Sequence, residues 1–111
     1  MPKSHNDKLQ GTLTLLVLRT LEACGPLHGY GLCAHIHAVS DDQLQVEEGS
    51  LYPALHRMEQ DSWVSSSWTT TDKGRRAKVY AITAQGKKQL ADEQANWARL
   101  TQGVTRVLRY S

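Results

Sequence analysis

Between Gly49 and Arg57 the chain reads Gly-Ser-Leu-Tyr-Pro-Ala-Leu-His-Arg. Ser50, Tyr52, His56 and Arg57 bring a hydroxyl, a phenol, an imidazole and a guanidinium into one short run. Such groups donate hydrogen bonds to phosphate oxygens and, for His and Arg, to the acceptor edge of guanine. Leu51, Leu55 and Met58 recur at i, i+4 and i+7, the spacing of one apolar stripe on a helix. The polar groups and Pro53 fall largely off that stripe, so this helix buries one side and offers the other to a partner. Further along, Lys73, Arg75, Arg76 and Lys78 put four cations into six residues. A polar-faced helix followed by a basic hairpin is the outline of a winged-helix reader of double-stranded DNA.

Each of these residues has an expected part. Arg57 and His56 reach guanine or phosphate from the major groove. Ser50 and Tyr52 hold phosphates, because at least half of protein–DNA hydrogen bonds position rather than specify. For Tyr52 inward packing competes with that role, and for Arg57 plain solvation does. Backbone N–H groups near Gly49 suit a phosphate at the helix start. Ser50 is the expected N-cap, and Pro53 is tolerated in the first turn. The wing cations could be no more than a solvated turn, but their place beside this helix favours phosphate contact and salt-dependent binding.

Charge is distributed accordingly. Residues 1–48 carry three basic and six acidic groups, net −3; residues 49–88 carry seven and three, net +4; residues 89–111 carry three and two, net +1. The positive region coincides with the proposed helix and hairpin, as a nucleic-acid footprint would. Cys24 and Cys33 form no Cys-x-x-Cys pair, and two buried thiols in a reducing cytosol are the expectation. His35 and His37 lie two apart and do not share a helix face, so no metal site is expected. No catalytic triad, glycine-rich phosphate loop or paired-carboxylate pattern stands out, so neither an enzyme nor a cofactor is expected. Residues 1–8 are polar and lack an apolar signal core. No apolar run is long enough to span a bilayer. The expectation is a cytoplasmic protein with no membrane partner.

The supporting elements follow from periodicity. The chain of 111 residues suits one small domain, whose limited core would gain from dimerisation. Leu9, Leu13, Leu16, Val17 and Leu21 predict a helix over 9–23, ended by Gly25-Pro26. A second helix spans 30–39, with Ile36 and Val39 among its apolar positions. Residues 44–46 allow a minimal strand. Strands over 63–68 and 76–83 flank a turn at 69–74, with Tyr80 and Ile82 on one face and Val79 and Ala81 on the other. Thr83 caps a last helix over 84–109. The expected fold is mainly α with a small β-hairpin. A winged helix-turn-helix domain covers 1–83, with a flexible N-terminus at 1–8, and a C-terminal dimerisation helix covers 84–111.

That last helix is long for the chain, and no later element covers it. Leu90, Trp97 and Val104 lie seven apart, as do Leu100 and Val107 on the adjoining position. This is the narrow seam of a coiled coil, and the simplest partner is the same helix of a second chain. Folding back onto the first helix is the alternative. Trp97 on this seam either packs or, with its mate, flanks a small flat ligand.

The order helix, helix, helix, hairpin, long helix resembles the PadR family of transcriptional regulators. The resemblance is carried by Gly11-Thr12-Leu13, by residues 25–30 (Gly-Pro-Leu-His-Gly-Tyr), by residues 48–59 through the third helix, and by residues 75–83 with Gly86. It covers about residues 9–109. It implies a homodimer that binds an operator, usually represses, and in some members takes a flat aromatic effector at the dimer centre; Trp97 is at the corresponding point. The short C-terminus looks like the subfamily with a single dimerisation helix. One departure is Asp61-Ser62 where the family usually has a Gly. Asp tolerates the left-handed conformation expected there better than Ser does. A winged helix serving only as a protein-docking module is the rival expectation, since fold alone does not fix function.

Overall fold

The computed structural model describes residues 7–110, with side chains from residue 12 onward. The elements are α1 (Asp7–Cys24), β1 (Leu27–His28), α2 (Gly29–Val39), α3 (Glu48–Gln60), β2 (Val64–Thr70), β3 (Arg76–Ile82) and α4 (Ala84–Arg109). This is the mainly helical winged-helix architecture expected. Residues 1–6 and the Leu9 side chain lie outside what is described, while Asp7 and Lys8 already belong to α1.

The helices and sheet share one core. Leu13, Val17, Leu18 and Leu21 of α1 meet Leu32 of α2, Leu51, Ala54, Leu55 and Met58 of α3, Val64 and Tyr80 of the sheet, and Leu90 of α4. Fully burying a side chain of this size contributes about 1.5–3 kcal/mol. The sheet is antiparallel in the order β1-β3-β2. The two-residue β1 pairs Leu27 with Tyr80 and His28 with Val79. The minimal strand that residues 44–46 allowed does not form; the short strand lies instead at 27–28. Residues this few carry no periodic signal, and only tertiary pairing makes them a strand.

The α3–β2 corner resolves the Asp61-Ser62 departure. Asp61 has φ −83° and Ser62 has φ 65°, so the serine, not the aspartate, takes the left-handed conformation. Trp63 N donates to Met58 O at 2.8 Å and Ser62 N to Glu59 O at 3.0 Å. These two bonds define a Schellman helix end with Ser62 at the position glycine usually takes. A serine there bears steric strain on the order of 1 kcal/mol. Ser62→Gly is expected to raise the thermal midpoint by about 4 °C, checked by calorimetry; a lower midpoint would contradict this account of the corner.

Thr83 caps α4 as expected: its Oγ1 accepts from Gly86 N at 2.9 Å and donates to Ser62 O at 2.6 Å. A methyl group at Gly86 would overlap the Trp63 carbonyl oxygen, so glycine lets the first turn of α4 close onto the corner. Leu90, expected at a dimer seam, is instead 2% exposed within the chain's own core. Its heptad spacing is real, but the partner on this first stretch of α4 is the monomer. Cys24 is exposed rather than buried, with its Sγ 3.6 Å from both His35 ring nitrogens. Cys33 is half-buried, and burial, helped by Glu48, raises its thiol pKa and keeps it protonated.

Candidate nucleic-acid interface

The third helix divides as its spacing predicts. Leu51, Ala54, Leu55 and Met58 are buried, while Gly49, Tyr52, Pro53, His56 and Arg57 are exposed and Ser50 is half-buried. The helix starts earlier than expected. Glu47 is the N-cap, and Ser50 and Leu51 both donate their backbone N–H to Glu47 O at 3.0 Å. Ser50 is therefore inside the first turn and does not cap. Pro53 consequently lies in the second turn, not the first. Lacking an N–H, it leaves the Gly49 carbonyl without its i+4 donor, and exposure lets water take that place.

Tyr52 packs inward in part. Its ring lies against Gly29 at the start of α2, where an added Cβ would come within 2.7 Å of it. Yet Tyr52 remains 43% exposed, with its edge open to a partner. Burial, followed by the Glu48 charge, raises its pKa, so at neutral pH the phenol is a hydrogen-bond donor.

The wing pairs Val64 with Ile82 through to Thr70 with Arg76. Thr71 and Arg75 close its tip, with Thr71 N donating to Arg75 O at 2.7 Å. Lys73 and Arg75 sit exposed on that tip. Arg76 and Lys78 share one face of β3 because they are two residues apart. Arg76 lies 4.9 Å over the ring of Trp68, a cation–π contact. Lys78 is 3.5 Å from Glu59 and 5.6 Å over Tyr80. Glu59 also accepts from Ser66 Oγ, and this bond, with Lys78, lowers its carboxyl pKa. A lowered folded pKa stabilises above the ordinary carboxylate range; that contribution is lost as pH falls through the folded value. Glu59 thus ties the end of α3 to both strands of the wing, and Lys78 is partly engaged before any DNA arrives. Sequence reasoning missed Trp68 and Tyr30, two exposed aromatics beside the cations; the aromatic interleaving of a basic stretch was the available signal for Trp68.

The chain matches the model of the PadR-like transcriptional regulator family over residues 17–92. It belongs to the PadR-like family. Solved structures similar to it include a transcriptional regulator from Clostridium thermocellum at TM-score 0.81 and 26% identity, covering 94% of this chain and 99% of that one. A PadR-like regulator from Bacillus cereus aligns at TM-score 0.78 and 26% identity, covering 95% and 99%. A PadR family regulator from Eggerthella lenta aligns at TM-score 0.78 and 30% identity, covering 95% and 88%. Among curated relatives, an uncharacterized Lysinibacillus sphaericus protein is 25% identical over 86% of this chain and 87% of its own length. An uncharacterized 37.1 kDa protein of a Streptomyces fradiae transposon is 40% identical over 78% of this chain, which spans 23% of it. The class of function is therefore DNA-binding transcriptional regulation, not catalysis. No helix among the described residues is long and apolar enough to cross a membrane.

In this PadR-like chain the second half of α4 stands apart from the core. The stripe that starts with Gly86 and Leu90 runs on through Trp97, Leu100, Val104 and Val107, all exposed. Leu108 and Tyr110, absent from the expected seam, are exposed as well. Beside Trp97 runs an open groove of about 450 Å³, bordered by Thr101, Thr105 and Arg109.

Proposed function

We propose that this PadR-like regulator is a cytoplasmic homodimeric repressor of a palindromic operator, released by a small aromatic effector. The observation that carries the dimer is the α4 stripe. Its first half is covered by the chain's own core, and its second half presents Leu100 at 58% and Val107 at 73% exposure. A helix face of this kind needs a cover, and the same face of a second copy is self-complementary about a two-fold axis. Two copies then present two α3 helices, and a two-fold protein matches a two-fold DNA site. In each half-site Arg57 and His56 face bases, Gly49, Ser50, Tyr52 and Pro53 lie along the backbone, and Lys73, Arg75, Arg76 and Lys78 grip phosphates. Trp97, flanked by its groove near the dimer axis, is the surface on which a flat effector stacks.

Salt-titrated duplex binding tests the reading. Each neutralised phosphate contributes a slope of about −0.9 in log affinity against log salt. The expected result is a steep loss of affinity between dilute and physiological salt. A docking module would show no such loss, and a flat titration would overturn the proposal.

A further inference from the structure

The outer strand of the wing, β2, is an edge of the sheet, since the order is β1-β3-β2. Thr71 N donates to Arg75 O and Thr83 N to Trp63 O, at the two ends of one continuous register. Antiparallel bonding alternates along a strand, so the odd-numbered residues from 63 to 71 turn their main-chain groups to β3. Val64, Ser66, Trp68 and Thr70 therefore aim their N–H and C=O groups at the open side, where they meet no partner among the described residues. We propose that this edge pairs antiparallel with β2 of a second copy of the chain, through a surface separate from α4.

Proteins commonly guard such an edge with lysine, proline or a bulge. Here residues 63–71 read Trp-Val-Ser-Ser-Ser-Trp-Thr-Thr-Thr, without a charge or a proline, and the register runs without a bulge. The strand suits a copy of itself in particular. A two-fold axis at Ser67 sets Val64 against Thr70 and Ser66 against Trp68, which engages every open main-chain group on both edges. An axis one residue to either side would leave some of them over. The same register carries Lys73 of the wing tip toward Asp61 of the second copy, and both residues are exposed. The symmetry makes that attraction reciprocal. Ser65, Ser67 and Thr69, which flank the axis, are exposed, and hydroxyl side chains facing each other across strands hydrogen-bond. Trp68, 60% exposed in one chain, gains Ser66 of the second copy as a neighbour. An extended peptide of another protein would meet the same main-chain edge but lacks the reciprocal lysine and aspartate. A lone two-stranded pairing is marginal in water, so this contact forms at high local concentration and leaves dilute protein in the state set by α4.

The test is disulfide trapping with oxidised glutathione in a full chain carrying Cys24→Ser and Cys33→Ser. At the axis the two Ser67 residues form a non-hydrogen-bonded pair with Cα atoms about 4.5 Å apart, which lies within disulfide reach. Ser67→Cys is expected to form a covalent dimer about tenfold faster than Ser65→Cys or Thr69→Cys alone, at a rate that rises with protein concentration. A mixture of those two variants is expected to match Ser67→Cys, because the register sets residue 65 against residue 69. Thr70→Pro removes an N–H from the open edge without touching the β3 ladder, and is expected to slow the Ser67→Cys link by about tenfold. Asp61→Lys is expected to slow it as well, and Lys73→Asp in the same chain to restore it. Circular dichroism checks that each variant is folded. Equal rates at positions 65, 67 and 69 would mark random collision and overturn the proposal. A Ser67→Cys link that folded Thr70→Pro leaves unslowed, or a charge swap that restores nothing, would overturn it too.

Discussion

Leu100→Asp is expected to convert the proposed dimer to a monomer and to weaken binding to the proposed operator by at least a hundredfold. Leu100 is exposed within one chain, so the substitution costs the monomer little. At a two-fold seam it places two like charges in an apolar contact between Trp97, Val104 and their mates, which desolvates both. Loss of the dimer then removes the avidity that couples two half-sites, worth about 10²–10⁴ in affinity. Sedimentation velocity checks the assembly and circular dichroism checks the fold. A folded Leu100→Asp protein that stays dimeric would refute the seam. Leu90 would make a poor choice for this test, because it fills the monomer core and its loss would unfold the chain.

Arg57→Ala is expected to cost about 1–3 kcal/mol in specific binding, roughly 5- to 150-fold, while nonspecific binding falls much less. Arg57 is exposed on the outer face of α3, one turn before the helix ends, and carries no salt bridge among the described residues. Among the described residues its side chain is exposed and unpaired, so a loss of affinity without a loss of fold reports contact with DNA. Equal losses on specific and random duplexes would place Arg57 on a phosphate and move base reading to His56 or elsewhere.

Much of this architecture was readable from residue order because local and tertiary preferences agree. The 51–55–58 stripe predicted which side of α3 is buried, and Ala54 completes it. The α4 bounds and the Thr83 cap followed from composition and one hydroxyl. What was hidden depends on partners. Heptad spacing marks Leu90 and Trp97 alike, but only packing shows that one enters the core and the other stays 47% exposed. Which residue of Asp61-Ser62 would be left-handed was not legible, because a Schellman end is defined by which residue is last in the helix, and helix ends shift by a residue or two. Ser50 lost its capping role for the same reason. The stacking of Arg76 on Trp68 could not be foreseen, since it depends on the β2–β3 register that sets Trp68 opposite Lys78.

Selection of bound sequences from random duplexes tests the central claim most directly. The account predicts enrichment of an inverted repeat whose half-sites are centred about one helical turn, roughly 34–36 Å, apart. Enrichment of a single asymmetric site, or of no sequence at all, would contradict it.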